Sequence, residues 1–451
     1  MLFPNNEKGR FWMKRIRNMV QTEFLRCFFL LVSAAFLLAA FCMPDRKEML
    51  SGLWRILVTP GRIPHNYFAV GGFAATFLNM GLVGLCCLGL YVVFNARTED
   101  VSNLAFLLTV GFGSWGINIL NIWPTIFGVM LFGVVKKEPQ KKLVVPMLFS
   151  TGIAPLISEL LFRYPGQTAV GFHLSGVLLS LAVGFVIGFF LTPRLHESPM
   201  IHKGYSLYSA ALPVGLTALF LNSVLYKTMG VALPPEADPA SLGIASGTIA
   251  NTFCLCLFGL FIVLARFLGC TAKDYLAMLR ERDAPQSLSA HRGNAVFLMN
   301  AGVFGLFILG YYNLIGASFS GPIFGVMFCM LSTCDSGSNP ANVWPMMVGY
   351  LATSWVFGWL SQLAGGTFAG TINTASICIG LCYANGMSPI CRKYGWPYGI
   401  LAGAMHYMLV MQVPSMHGSL CLYNGGFTAC MICMLLIPVL ERFKRPLIAV
   451  S

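Results

Sequence analysis

The chain carries N-I-L-N-I-W-P-T-I-F-G at residues 118–128 and writes it again as N-P-A-N-V-W-P-M-M-V-G at residues 339–349. The offset that carries Asn118 onto Asn339 also carries Asn79, Gly84, Gly89 and Tyr91 onto Asn300, Gly305, Gly310 and Tyr312. A constant offset over so long a stretch marks an ungapped internal duplication. Each copy sets asparagines, glycines and a Trp-Pro inside apolar sequence, where amides and interrupted backbone are costly. The pattern predicts a binding or conduction site shared between two related halves.

Of 451 residues, 57% are hydrophobic and only 10% charged, too little polar surface to cover a water-soluble globule of this size. Apolar runs at 25–43, 166–191 and 242–268 are long enough to cross a hydrocarbon core of roughly 30 Å. The expected fold is an all-α integral membrane protein partnered by the lipid bilayer. The net charge of +13 does not point to nucleic acid, because the Lys and Arg residues sit in short loops between apolar runs, where they orient the chain. Fifteen cysteines, mostly single within apolar runs, read as packing residues; Cys430 and Cys433 share a helical face without His or acidic partners, so no metal site is expected. No cofactor is expected either.

Taken between breakers, the first half reads as seven segments at 25–43, 67–94, 104–112, 118–135, 143–162, 169–191 and 205–225. The second reads as seven at 242–268, 296–315, 322–333, 341–360, 368–383, 398–413 and 420–440. Residues 1–24 form a basic amphipathic leader, 25–230 the first repeat, 241–440 the second, and 441–451 a basic tail. If every segment changes sides, the loops on the side of both termini hold most of the 29 Lys and Arg residues, which makes that side cytoplasmic. The expected location is the cytoplasmic membrane. Seven crossings per half then place the second copy upside down relative to the first, the inverted repeat of many secondary transporters. The loops near Arg46 to Arg62 and at 274–285 are expected to hold helices on the membrane surface.

The third segment of each half is short and runs into a Gly- and Ser-rich break: G-F-G-S-W-G with Gly113, Ser114 and Gly116, and S-T-C-D-S-G-S with Asp335 and Gly337. Further breaks are expected at Pro124, Pro345, Gly425 and Gly426. Asn118, Asn121, Asn339 and Asn342 are candidate substrate ligands, since i, i+3 spacing puts each pair on one helical face and two inverted copies would turn both faces to one axis. Stitching of freed backbone groups is the other role open to them. Ser114, Asp335 and Asn424 join the candidate substrate set, and Asp335 is also a candidate proton- or sodium-coupling carboxylate. A second paired motif, H-x5-Y, aligns His202 with His417 and Tyr208 with Tyr423 at the start of the last helix of each half. These four are candidates for a gate or proton relay, or for an interfacial turn. Glu159 has Arg163 one turn on and reads as a structural ion pair. No Walker A loop, H-E-x-x-H or G-x-S-x-G is present.

The runs at 65–85, N-I-W-P-T-I-F-G and L-Y-N-G-G-F-T-A resemble a bacterial family of duplicated integral membrane proteins catalogued as a domain of unknown function. The resemblance covers most of the chain from about residue 49 and implies a bacterial cytoplasmic-membrane protein. A fainter similarity to urea transporters, confined to short patterns, implies fold-level analogy only. The expected function is a transporter or facilitator of a small polar or ionic solute bound between two inverted repeats. A membrane-embedded enzyme acting on a lipid-linked substrate, with His202, His417 or Asp335 as acid/base, and a urea-transporter-like channel are the alternatives. Homo-oligomer formation is left open.

Overall fold

The computed structural model describes residues 23–281 and 287–443. Nearly all of the expected leader, most of the expected tail and part of the 274–285 loop lie outside the described residues. Among the described residues the chain is helical, with one isolated bridge between Ala245 and Ser320.

The first half contributes α1 (Phe24–Cys42), α2 (Met49–Val58), α3 (Tyr67–Gly71), α4 (Phe73–Val93), α5 (Asp100–Phe112), α6 (Trp123–Lys136), α7 (Val144–Ser150), α8 (Ala154–Phe162), α9 (Leu174–Arg194) and α10 (Ala211–Asn222). The second contributes α11 (Gly247–Phe267), α12 (Ala272–Arg280), α13 (Leu288–Arg292), α14 (Asn294–Leu314), α15 (Gly321–Leu331), α16 (Pro340–Leu363), α17 (Ala375–Ala384), α18 (Ser388–Tyr394), α19 (Trp396–Val410) and α20 (Asn424–Phe443). Seven helical stretches, one of them α7 and α8 taken together across Val144–Phe162, are long and apolar enough to cross a membrane. Short α2 and α12 occupy the two loops where surface helices were expected.

The duplication extends to backbone detail. Asn66 and Ser287, paired by the same offset as the Asn-Trp-Pro motifs, cap α3 and α13 with their side chains. At the far end of each short helix, Gly72 (φ 89°) and Gly293 (φ 85°) turn the chain into the long helix that follows, a conformation that carries strain for any residue with a Cβ. The same local instruction, written twice, gives the same turn.

The two copies meet at α5 and α15. Asn103 donates to the Ser332 carbonyl, Cys329 Sγ lies 3.9 Å from the Leu108 carbonyl, Gly111 packs against Gly325, and Ser114 Oγ donates to the Gly321 carbonyl. As the number on one helix rises, its partner's number falls, so these equivalent helices run antiparallel. Leu108 and Cys329 are themselves duplicates of one another and therefore mark the point about which the copies exchange.

Around this crossing the molecule has two sides. On one, α1, α4, α11 and α14 pack through phenylalanines from both halves, among them Phe28 on Phe261, Phe36 on Phe253 and Phe77 on Phe253. Between apolar helices in lipid there is little hydrophobic driving force, so such ring-to-ring fit supplies much of the association. On the other side stand α6 with α9 and α16 with α19, each pair joined by glycines. A Cβ on Gly128 would lie 1.8 Å from the Gly184 carbonyl oxygen, and one on Gly349 2.3 Å from that of Ile400.

Hydrogen bonds tie the connecting loops into two groups that alternate along the chain. Arg163 donates to Pro60, Arg62 to Pro234 and Gly418, Asn66 to Ser241 and Ile244, and the Ser246 amide to Phe319. The other group is joined through Arg26 to Ala96, Asn103 to Ser332, Leu288 to Asp335, Ser338 to Ser388, Tyr205 to Tyr394 and Lys203 to Glu441.

Candidate functional site

The asparagines hold their own halves together. Asn79 Nδ2 donates to the carbonyls of Gly113 and Ile117 at 2.7 and 2.8 Å; Asn300 Nδ2 donates to Cys334 and Ser338 at 3.0 and 2.9 Å. Asn121 Oδ1 accepts from the Asn118 amide at 2.9 Å while its Nδ2 reaches Gly116 and Ser158 Oγ. Asn342 repeats this with the Asn339 amide at 3.0 Å and the Gly337 carbonyl at 2.9 Å. These are reciprocal caps on the turns that follow α5 and α15, and they satisfy the backbone groups that those turns free.

The structure does not bring the two asparagine pairs together. Asn118 Nδ2 donates to Ile56, at the end of α2, whereas Asn339 Nδ2 faces Met278 Sδ in α12, and these helices belong to opposite loop groups. The expectation of convergence fails because α5 and α15 pass one another antiparallel, which carries the turn after each helix to the far end of the other.

Several expected breaks are also corrected. Pro124 occupies the first turn of α6, where a proline is tolerated. Pro345 lies inside α16, which continues through it; the amide it removes is the one that would bond the carbonyl of Ala341, an exposed residue in the first turn. Gly425 and Gly426 open α20 and are packing positions, pressed against Tyr383 and against Ala211 and Tyr208. Gly113, Gly116 and Gly337 do lie in the turns between helices. In the second half, helix α17 begins at Ala375, later than the run from residue 368 suggested.

Ser114 and Asp335 hold equivalent posts. The Ser114 carbonyl accepts from the Tyr67 amide at 3.2 Å and that of Asp335 from the Leu288 amide at 2.7 Å. The Asp335 carboxylate additionally accepts from the Ser289 amide at 2.7 Å and hydroxyl at 3.0 Å, which pins α13 to the turn after α15.

The H-x5-Y motifs are where the halves interlock. Tyr208 packs its ring against Gly386 of the second half, and Tyr423 packs against Gly152 of the first. Beside each ring the preceding residue seals the contact: the Leu207 amide donates to the Gly386 carbonyl and the Leu422 amide to Gly152, both at 2.9 Å. Gly152 and Gly386 sit in short tight turns at 151–153 and 385–387 that kink the rods α7–α8 and α17–α18, and each is followed closely by a proline, Pro155 or Pro389. A Cβ on Gly152 would lie 2.2 Å from the Tyr423 ring, and one on Gly386 2.3 Å from Tyr208, so the exchange requires glycine at both kinks.

The motif histidines are buried and neutral in character. His202 Nδ1 accepts from the Ser206 amide at 3.2 Å, and burial lowers its pKa to about 4. His417 Nδ1 lies 2.5 Å from Asn424 Oδ1, and burial lowers it as well. The tyrosines differ: the Tyr208 hydroxyl reaches the Cys329 carbonyl and Asn385 Oδ1, both at 2.9 Å, and the Cys382 carbonyl at 3.3 Å, whereas the buried Tyr423 hydroxyl has no hydrogen-bond partner among the described residues. Asn385 Nδ2 in turn donates to the Met330 carbonyl and to Thr333 Oγ1, both at 2.8 Å. Asn385 thereby ties Tyr208 and the second kink to the end of α15. Sequence reasoning missed it because its first-half counterpart is Thr151, although N-G-M-S-P against T-G-I-A-P was there to be aligned.

At the end of α8, buried Glu159 pairs with Arg163 at 3.4 Å, as the i, i+4 spacing suggested. Arg163 also donates to Pro60, and half-buried His65 nearby has its pKa lowered to about 4 by burial and by the Arg163 charge. Among the described residues no three His, Cys, Asp or Glu side chains are grouped to hold a metal ion.

No curated protein and no solved structure matches the chain. A family model does, in two segments that follow the duplication, residues 45–227 and 273–442. On that match the chain belongs to the family described as Protein of unknown function (DUF1576).

Proposed function

We propose that this multi-pass helical protein moves a small polar or ionic solute across a membrane, through the junction where its two halves exchange tyrosines. The observation that carries the reading is the antiparallel crossing of α5 and α15 about Leu108 and Cys329, flanked by kinked rods that each receive a tyrosine from the other half. Equivalent helices that run antiparallel need a pseudo-twofold axis perpendicular to them. With those helices across the bilayer, the axis lies in its plane and the repeats are inverted, as in alternating-access transporters. The alternation of the two loop groups along the chain supports the same threading, with both termini on the lysine- and arginine-rich cytoplasmic face of a cell membrane. The Phe-packed side and the kinked-rod side are the bodies that rock, and the asparagines are positioning residues that keep each turn rigid.

Liposomes containing the protein and challenged with osmotic gradients of glycerol, acetamide, sodium acetate and sodium nitrate test the proposal by stopped-flow light scattering. At least one solute should equilibrate faster than in empty liposomes, and Tyr208→Phe, which unties the hydroxyl from Cys329 and Asn385, should slow that solute by about tenfold, the equivalent of one lost buried hydrogen bond. Rates equal to those of empty liposomes for the whole panel would reject the reading.

A further inference from the structure

Two hydrogen-bond donors stand idle in one neighbourhood of the junction. Trp115 and Tyr423 are each only 1% exposed, and neither the indole Nε1 nor the hydroxyl has a partner among the described residues. A buried donor left unpaired is costly, so two in one neighbourhood favour an acceptor that comes from outside the chain.

Phe112 joins them, its ring centroid 5.6 Å from that of Trp115 and 5.3 Å from that of Tyr423, both edge-on. Phe149 closes the far side of Tyr423 at 6.3 Å. Gly116, next to Trp115, packs on Leu422, next to Tyr423, which fixes the two stretches against each other. The neighbourhood thus unites the turn after α5 with the tyrosine of the opposite half.

Its pseudo-equivalent is built differently. There Tyr208 has three acceptors for its hydroxyl, and Ser336 stands where Trp115 stands here. On this side Thr151 replaces Asn385, and its hydroxyl already donates to the Leu148 carbonyl at 2.6 Å. One copy therefore satisfies its tyrosine internally and the other leaves it open.

We infer that Trp115 and Tyr423 form the solute-binding position, and that the solute is a small acceptor-bearing molecule, an oxyanion or a carbonyl compound, held by one hydrogen bond from each. The assignment rests on the transport reading above for its biological role, but the binding it requires stands apart from flux. The Phe112 and Phe149 rings beside the two donors are apolar, so an acceptor held there competes with few other polar groups.

The test is the indole N–H signal of Trp115 in full-length protein carrying 15N-tryptophan, identified among the eight tryptophans as the resonance missing from Trp115→Phe. Acetate or nitrate, as oxyanions, or acetone, as a neutral carbonyl, should move it downfield, the more effective probe telling the two sources apart. Tetramethylammonium, which has no acceptor, should not. In Tyr423→Phe, which keeps the ring and loses one donor, the half-saturating concentration should rise about tenfold. A signal unmoved by all three acceptors, or equally responsive in Tyr423→Phe, overturns the assignment and leaves the donors to trapped water. Solute flux alongside a motionless indole would remove this position while leaving transport standing; a moving indole without flux would keep the position and remove transport.

Discussion

At the residue scale, the asparagine amides are spent on the backbone of their own turns, and the reason lies in what surrounds them. An amide inside a membrane protein must find partners, and the turns after α5 and α15 offer freed backbone groups closer than any solute could come. Both roles for Asn121 and Asn342 were legible in the asparagine spacing; the choice between them depended on which carbonyls lie within hydrogen-bonding reach, which spacing does not encode. The histidines make a pH prediction. An unfolded His titrates near 6.5, whereas buried His202 takes its proton only near about 4. Between those values the unfolded chain binds more protons, so stability is flat above about 6.5 and falls as pH drops toward 4. His65 and His417 act in the same direction. Asp335, which burial raises to about 6, pulls the other way, so the histidine contribution is read as a difference. Between pH 7 and pH 5 the melting temperature of the unmodified protein in detergent should fall relative to that of His202→Gln, which retains an acceptor for the Ser206 amide. Parallel curves for the two proteins would show that His202 does not contribute.

At the scale of elements, helix existence was readable from apolar runs, and the short third segments were readable from their glycine-rich ends. The kinks at Gly152 and Gly386 were not, because insertions shift the repeat out of step: the offset that pairs the Asn-Trp-Pro helices is too short for the kinks and too long for the H-x5-Y motifs. The glycine-mediated pairing of α6 with α9 gives a clean mutational contrast. A side chain at Gly128 would collide with backbone of α9, which cannot rotate away, whereas a Cβ at Gly89 meets nothing within 4 Å. Gly128→Val should abolish a monodisperse peak in size-exclusion chromatography, since forcing two backbones apart exceeds the usual overpacking cost of about 1–3 kcal/mol. Gly89→Ala should elute like the unmodified protein and melt slightly higher, because alanine favours the helix by up to about 1 kcal/mol.

For the whole molecule, the repeat was legible from one sequence, yet the meeting point was not. Sequence periodicity says which residues are equivalent; it does not say which equivalent surfaces touch. The threading is open to measurement through positions that the duplication pairs. Ser51 in α2 and Ala272 in α12 are such a pair, and both are exposed. In a background without native cysteines, Ser51→Cys should react with an impermeant maleimide added outside intact cells, and Ala272→Cys only after the cells are opened. Labelling of both from the same side would exclude inversion.

The exchange of Tyr208 and Tyr423 also bears on how such a chain could arise and be taken apart. Neither half has a finished interior by itself, since each kinked rod borrows its aromatic plug from the other half. A single-copy ancestor would have needed a sister molecule lying head to tail with it. Today's chain, cut in the loop near Glu236 and produced as two pieces, should behave as an obligate pair: co-purifying when made together, and aggregating when either piece is made alone.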